Sequence, residues 1–192
     1  MTWTWFDIRN LTASDYEKYY ALMTPTKRAR VERFRYTADK ERTVVGDMLA
    51  RQLISKRCSI DENNIRFQIG KHGKPYVAEL SVYFNISHSG NIVVCAIDNK
   101  PIGIDVEQIR KIDSHLIKRV CTDKEQEYVL SVKDGNETGM YKRFFEIWTS
   151  KEAYFKCIGT GIMEFKEIDI YTEVTKRKSN LLEDYIITIV TS

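Results

Sequence analysis

The sequence predicts an α+β protein that consists of two similar halves, divided near residue 102. A long amphipathic helix followed by short strands occurs twice, with the helices at Thr37–Cys58 and about Thr138–Ile158. With 192 residues, the chain is long enough for one domain or two small halves. Its composition of 43% hydrophobic and 30% charged residues is typical of a folded globular protein rather than a disordered one.

The first half is predicted to begin with a strand at residues 2–8, where apolar and polar side chains alternate. A short helix follows over Asp15–Met23, with Thr12 or Ser14 as its cap, and Pro25 ends it. Gly46 inside the long helix is unfavourable and therefore indicates close packing there. Runs of β-branched residues between turn signals predict further strands at Ile65–Ile69, Val82–Ser87 and Asn91–Asp98.

The second half is predicted to start with a strand at Pro101–Glu107 and to end with strands at Phe165–Val174 and Tyr185–Thr191, joined by the polar turn KRKSN. Between them the pattern predicts helices at Ser114–Val120 and Thr122–Val132 and the long helix that Gly159 ends. Tight turns are predicted at residues 70–73 and 89–91, and a polar loop at 133–139.

The overall charge and the cysteine pattern restrict the class of protein. The net charge of +3 is too small to indicate a nucleic-acid partner by itself, but Lys27–Arg35 is locally basic. That segment fits an exposed helix face, a nucleic-acid patch or a phosphate site. The four cysteines lie far apart without a C-x-x-C pair, which indicates reduced cysteines in a cytosolic protein. No membrane-length apolar run or secretory signal is visible.

The sharpest chemical pattern is the strand Ile102-Gly-Ile-Asp-Val-Glu107. Alternation places its aliphatic residues on one face, toward a core, and Gly103, Asp105 and Glu107 on the other. Two carboxylates on one face repel each other unless solvent or a cation intervenes, and a hard ion such as Mg²⁺ prefers carboxylate oxygens. The pattern therefore fits either a metal site or a half-exposed strand with two solvated acids.

A third carboxylate, Glu152, falls on the apolar stripe of the second long helix, four residues after Trp148 and three before Phe155. A carboxylate there is costly to bury without a partner. Glu152 is either the partner of Lys156 in a surface pair or a third acidic ligand, which would leave Lys156 for a phosphate.

Two further segments could meet an anion. In Phe84-Asn-Ile-Ser-His-Ser-Gly90, Ser87 and His88 stand at a strand end, where side chains and backbone N–H groups converge. Lys74 lies in Gly73-Lys-Pro75, beside a predicted turn. No P-loop, G-x-G-x-x-G, H-E-x-x-H or G-x-S-x-G motif is present in the sequence.

Four of these segments, taken in chain order, resemble the motifs of the 4′-phosphopantetheinyl transferases of the surfactin-synthetase-activating (Sfp) type. They are G-K-P (73–75), F-N-I-S-H-S-G (84–90), G-I-D-V-E (103–107) and W-T-S-K-E-A-Y-F-K (148–156). The resemblance runs from about Lys27 to Gly159. It implies a pseudo-dimer of two α+β halves, residues 1–102 and 103–192, with the active site in the cleft between them. The first half would bind the phosphate and adenosine side of coenzyme A, and the second would carry the metal carboxylates and dock the carrier.

The resemblance also assigns roles to individual residues. Asp105, Glu107 and Glu152 would hold Mg²⁺, with Mn²⁺ as an alternative, and Lys156 would reach the pyrophosphate of coenzyme A. The basic set for the 3′-phosphate would be Lys27 and Arg30, assisted by Arg42 and His88. Thr43, Lys74 and Ser87 match other coenzyme-lining positions, and Glu125 matches a position discussed as an acid/base participant.

The implied reaction transfers the 4′-phosphopantetheine moiety of coenzyme A to a serine of an apo acyl- or peptidyl-carrier protein and releases 3′,5′-ADP. The base would be Glu152, Glu125 or a metal-bound water. The carrier would serve fatty-acid, polyketide, siderophore or nonribosomal peptide synthesis. We expect this protein to be a cytoplasmic monomer that has neither a membrane nor a nucleic acid as its partner.

Two departures from the family pattern leave alternatives open. Thr149 stands where the family often has Ser, and the chain ends at Ser192, where members of this type continue into a further strand. We therefore expect a truncated second half with an open sheet edge. The alternatives are a non-catalytic or inactive coenzyme A-binding protein with a truncated C-terminus, and a nucleic-acid-binding module built on Lys27–Arg35.

Overall fold

The computed structural model describes residues 1–70, 73–132, 136–161, 164–174 and 176–192. The chain divides into two compact units, Met1–Lys100 and Pro101–Ser192. Each unit contains helices and a three-stranded antiparallel sheet, so the predicted α+β class is confirmed. The boundary lies two residues before the one expected from the sequence.

The first unit consists of β1 (Thr2–Asp7), a 3₁₀ turn (Ile8–Asn10), α1 (Ala13–Ala21), α2 (Pro25–Glu32), α3 (Thr37–Cys58), a second 3₁₀ turn (Glu62–Asn64), β2 (Gln68–Ile69), β3 (Pro75–Tyr76), β4 (Tyr83–Ser89) and β5 (Ile92–Asp98). The main sheet has the order β1-β5-β4, and β2 pairs with β3. Helix α3 packs on β5, and the core of the unit lies between them.

Local sequence explains most of these boundaries. The Thr12 side chain accepts a hydrogen bond from the Asp15 N–H and caps α1, as predicted. Helix α1 ends at Ala21, two residues before the predicted end, and Pro25 begins α2. This second helix confirms a helix over most of Lys27–Arg35, one of the possibilities that the sequence left open. A Cβ atom at Gly46 would lie 3.1 Å from Cγ2 of Ile86, which confirms the predicted close packing of α3.

The second unit consists of β6 (Ile102–Gln108), α4 (Ser114–Val120), α5 (Asp123–Leu130), α6 (Glu137–Ile158), a 3₁₀ turn (Phe165–Glu167), β7 (Arg177–Leu182) and β8 (Tyr185–Thr191). Its sheet has the order β6-β8-β7, and α6 packs on β6 and β8. Gly159, with φ 74°, ends α6 as predicted.

The predicted strand at Phe165–Val174 is wrong, because the segment forms a 3₁₀ turn followed by further turns. Its backbone groups bond to buried side chains instead of a neighbouring strand: the Lys151 ammonium donates to the Phe165 carbonyl, and the Glu125 carboxylate accepts from the Ile170 N–H. The KRKSN segment, expected as a turn, instead supplies most of β7.

Three smaller differences concern strands and turns. The strand expected at Ile65–Ile69 is reduced to Gln68–Ile69. Strand β8 lies in the centre of its sheet, between β6 and β7, so the expected open edge is not at this last strand. The predicted turn at 70–73 and loop at 133–139 fall partly on residues 71–72 and 133–135, outside the described residues.

Within the described ranges, no helix is long and apolar enough to cross a membrane.

Helix α6 and the sheet of the second unit approach each other closely at Gly103. A Cβ atom there would lie 1.9 Å from the Ala153 carbonyl oxygen and 2.5 Å from the Cys157 nitrogen. Helix α6 therefore lies directly on the sheet face that carries Gly103, Asp105 and Glu107. The expectation that this face is turned away from the core is wrong, and the side chain of Asp105 is only 5% exposed.

Candidate functional site

Helix α6 brings Lys156 to Asp105 of β6. The Lys156 Nζ atom lies 2.5 Å from Oδ1 of Asp105, although the two residues are 51 positions apart. The sequence suggested Glu152 as a partner of Lys156; in the structure Lys156 forms an ion pair with Asp105 on the strand. The pair exists because Gly103 admits the helix, so that the carboxylate two residues along β6 meets the helix side chains.

Glu152 lies one helical turn before Lys156 and is partly buried. Burial is the largest cause of the raised pKa of Glu152, and the negative charge of Asp105 raises this pKa further. The Lys156 ammonium lowers the pKa of Glu152, and Glu107 raises it more weakly. Glu152 is thus within electrostatic reach of both strand carboxylates.

Glu107 lies at the more exposed end of this acidic group. Its side chain is 20% exposed and forms an ion pair of 3.0 Å with Arg110 at the surface. Across the described ranges, no three acidic, His or Cys side chains are arranged closely enough to form a metal site as they stand. The arrangement is a loose acidic group on β6 and α6, with Lys156 as its internal cation.

The donor chemistry of this group fits a divalent cation. Carboxylate oxygens are the ligands that Mg²⁺ prefers, and like charges in a partly buried site favour a cation between them. The pKa of Glu152 is raised mainly by burial and, to a smaller degree, by this repulsion from Asp105. Asp105, Glu107 and Glu152 are therefore the residues of this unit that could hold Mg²⁺.

Glu125 forms a fully buried ion pair with Lys151 at 2.6 Å, and neither side chain is exposed. The carboxylate also accepts hydrogen bonds from the N–H groups of Thr122 and Ile170. The Lys151 ammonium donates to the carbonyls of Val120 and Phe165. The pair joins α6 to the start of α5 and to the segment after α6, so this geometry gives Glu125 a clear structural role.

In the first unit, Lys27 of α2 contacts a buried acid that the sequence analysis missed. The Lys27 Nζ atom lies 2.5 Å from Oδ1 of Asp47 on α3, and Arg51 Nε lies 2.6 Å from Oδ2 of the same carboxylate. Arg30, on the same helix as Lys27, is exposed. The signal that could have found this network is the spacing of Asp47 and Arg51, four residues apart among the apolar residues of α3.

The other residues expected to bind coenzyme A lie at the start of α3 and along the neighbouring strands. Arg42 donates to the Gly90 carbonyl at 2.7 Å, which places the guanidinium beside the turn that follows His88. Thr43 is on the next position of α3. Lys74 directly precedes β3, which contacts β4, and Ser87 lies on β4. His88 is exposed and Ser87 is buried.

Comparison with known proteins identifies the family. The profile described as "4′-phosphopantetheinyl transferase superfamily" matches residues 101–189, and "4′-phosphopantetheinyl transferase, N-terminal" matches residues 10–100. The chain belongs to the 4′-phosphopantetheinyl transferase superfamily. The resemblance inferred from the sequence motifs and the predicted enzyme class are thereby confirmed.

Individual relatives agree with the profiles. The 4′-phosphopantetheinyl transferase Sfp of Bacillus subtilis is 37% identical over 155 residues, which cover 80% of this transferase and 68% of the relative. A 4′-phosphopantetheinyl transferase of Bacillus pumilus is 39% identical over 137 residues, which cover 71% of this chain and 58% of the length of that relative. The human L-aminoadipate-semialdehyde dehydrogenase-phosphopantetheinyl transferase is 32% identical over 152 residues, which cover 72% of this chain and 48% of the length of the human protein.

Replacing Glu152 with Gln is expected to stabilise the metal-free transferase at high pH. The folded state raises the pKa of Glu152 above its ordinary value of 4.5. The charged carboxylate therefore destabilises the folded state as the pH rises from 4.5 through the raised pKa, and this destabilisation is absent below pH 4.5. In EDTA, thermal unfolding should therefore give a higher Tm for Glu152→Gln than for wild type at pH 8 and equal values near pH 4. Exposed Glu127→Gln is the control, and a lower Tm for Glu152→Gln at pH 8 would contradict the assignment.

The buried pair of Glu125 and Lys151 is expected to show strong coupling in stability. Glu125→Gln or Lys151→Met alone leaves a buried charge without its partner and should lower the free energy of unfolding by about 3–5 kcal/mol. The double variant removes both charges and should lose much less than the sum of the two. Urea unfolding of the four proteins measures this, and additive losses would show that the two charges do not depend on each other.

Proposed function

We propose that this transferase moves the 4′-phosphopantetheine moiety of coenzyme A to a serine hydroxyl of an apo acyl- or peptidyl-carrier protein, with Mg²⁺, and releases 3′,5′-ADP. The serine oxygen forms a bond to the β-phosphorus, and the bond from that phosphorus to the bridging oxygen of the pyrophosphate breaks. The observation that supports this best is the meeting of Asp105, Glu152 and Lys156 on β6 and α6.

The acidic group of the second unit suits a pyrophosphate that is bound with a metal ion. Asp105, Glu107 and Glu152 would supply oxygen ligands, and Lys156 would supply a positive charge for the phosphate oxygens. When bound, Mg²⁺ would neutralise negative charge on the phosphate oxygens, including the charge that leaves with 3′,5′-ADP. Lys156 is partly exposed, at 28% of its side chain, so its ammonium can pass from Asp105 to a phosphate without leaving the site.

Glu152 is a better candidate than Glu125 for the base that takes the serine proton. A general base must come within hydrogen-bond distance of the hydroxyl. Glu125 is completely enclosed, and its two oxygens accept hydrogen bonds from Lys151 and two backbone N–H groups. Glu152 is only partly buried and adjoins the acidic group, which supports its assignment as the base.

The basic residues of the first unit would bind the 3′-phosphate of the coenzyme. Lys27, Arg30, Arg42 and His88 carry or can acquire positive charge, and His88 and Arg30 are exposed. Thr43, Lys74 and Ser87 would line the rest of the coenzyme, as in the motif assignments. We place the reaction in the cytoplasm, with the protein as a monomer and with carriers of fatty-acid, polyketide, siderophore or nonribosomal peptide synthesis as its class of substrate.

Transfer can be tested by incubating the protein with coenzyme A, Mg²⁺ and a panel of apo acyl- and peptidyl-carrier proteins, followed by intact-mass measurement of each carrier. We expect a mass increase of one phosphopantetheine group that EDTA abolishes. Asp105→Asn should lower the rate by more than the roughly 10–100-fold loss that follows removal of a hydrogen-bond partner of a metal ligand.

The matched control is Asp123→Asn, which removes an exposed carboxylate of the same unit and should keep the wild-type rate. If no carrier gains mass while calorimetry still detects Mg²⁺-dependent binding of coenzyme A, the protein is a non-catalytic coenzyme-binding member of the family. If neither transfer nor coenzyme binding is detected, the proposed function is wrong.

A further inference from the structure

Asp47 of α3 is a buried carboxylate held between two cations. Its side chain is fully enclosed, with an exposed fraction of 0%. One oxygen contacts Lys27 Nζ at 2.5 Å and the other contacts Arg51 Nε at 2.6 Å. The carboxylate therefore links α2, which carries Lys27, to the middle of α3.

Arg51 anchors this carboxylate to the framework of the first unit. Its other guanidinium nitrogens donate to the carbonyls of Leu22, Glu62 and Ile65 at distances from 2.8 to 3.0 Å. The Arg51 side chain is 3% exposed. Because three carbonyls from two segments of the chain hold the guanidinium in place, the position of the Asp47 carboxylate is also determined by the fold.

Lys27 differs from Arg51 because it reaches the surface. Its side chain is 30% exposed, and an ammonium group has three N–H donors, of which Asp47 accepts one. The Phe67 ring lies near both cations, with its centroid 5.7 Å from Lys27 Nζ and 4.9 Å from the Arg51 guanidinium carbon. The carboxylate and the ring together restrict a flexible side chain to one position at the surface.

The charge balance of this network favours an anion beside Lys27. One carboxylate faces two cations, so the group of Lys27, Asp47 and Arg51 carries one net positive charge. Arg51 is enclosed and Lys27 is not, so the excess charge is presented where Lys27 is exposed. Asp47 holds the lysine in place without cancelling its attraction for a phosphate.

We propose that Asp47 is a positioning residue that fixes the Lys27 ammonium for the 3′-phosphate and thereby sets the preference for coenzyme A over 3′-dephospho-coenzyme A. The proposal rests on the proposed function, in which Lys27 binds this phosphate. Asp47 acts only through Lys27 and does not touch the coenzyme. A phosphate monoester offers a held ammonium with spare N–H donors both negative charge and acceptor oxygens.

The test is a double-mutant cycle in binding. Calorimetry with Mg²⁺ measures the Kd of coenzyme A and of 3′-dephospho-coenzyme A for wild type, Asp47→Asn, Lys27→Ala and the double variant. Asp47→Asn should weaken coenzyme A binding roughly tenfold, as expected for loss of a charge-assisted contact, and leave the Kd of the dephospho form unchanged. In the Lys27→Ala background, Asp47→Asn should have no further effect on either Kd.

A second variant guards against loss of the fold, because Asp47→Asn also removes the partner of buried Arg51. Asp47→Glu keeps the negative charge but displaces the carboxylate, and it should weaken coenzyme A binding to an intermediate degree. Circular dichroism selects a temperature at which each variant is folded. Glu32→Gln, which changes the surface pair with Lys40, is the matched control and should bind both coenzymes as wild type does.

Each remaining outcome decides the question. If Lys27→Ala does not change the ratio of the two Kd values, the 3′-phosphate assignment fails and the role of Asp47 fails with it. If Lys27→Ala removes the preference but both Asp47 variants keep it, the positioning role is wrong while the proposed function stands. If the Asp47 variants weaken both coenzymes equally, Asp47 is a general structural residue and the proposal is overturned.

Discussion

The candidate site depends on a glycine, Gly103, at the contact between a helix and a strand. Because Gly103 has no Cβ, α6 approaches β6 so closely that a methyl group would fall 1.9 Å from the Ala153 carbonyl oxygen. This contact lays the helix on the sheet face that carries Asp105, and it brings Lys156 to within 2.5 Å of that carboxylate. The same approach places Glu152 where the charge of Asp105 raises its pKa. A tight steric contact thus creates the group of charges to which we assign the chemistry.

Both units contain a buried carboxylate that bonds to cations from other parts of the chain. Asp47 is held by Arg51 and Lys27 in the first unit, and Glu125 by Lys151 in the second. Such pairs contribute little net stability compared with an apolar core, but removing one partner is costly. Their effect here is geometric, since each links a helix that carries proposed functional residues to the rest of its unit.

The sequence predicted the elements whose pattern is local and missed those that depend on distant partners. The long helices and the strand of Asp105 follow from apolar periodicity. The position of Glu152 on an apolar stripe left open a surface pair or a place among other acids, and in the structure Glu152 is partly buried within reach of Asp105. The segment after α6 was assigned to a strand because no local pattern shows that Glu125 and Lys151 satisfy its backbone. Likewise, the i,i+4 spacing of Glu152 and Lys156 could not show that Lys156 also pairs with Asp105, which lies 51 residues earlier in the chain.

The most direct test of the central claim is divalent-cation binding by Gly103→Ala, measured with Mn²⁺ by electron paramagnetic resonance in the presence of coenzyme A. The added methyl group must separate α6 from β6, so we expect a lower Tm and loss of the bound Mn²⁺ signal. Gly46→Ala is the control, because its Cβ would lie near the Ile86 and Val93 side chains and not near backbone atoms, and it should keep the ion. Wild-type stability and Mn²⁺ binding in Gly103→Ala would contradict the account.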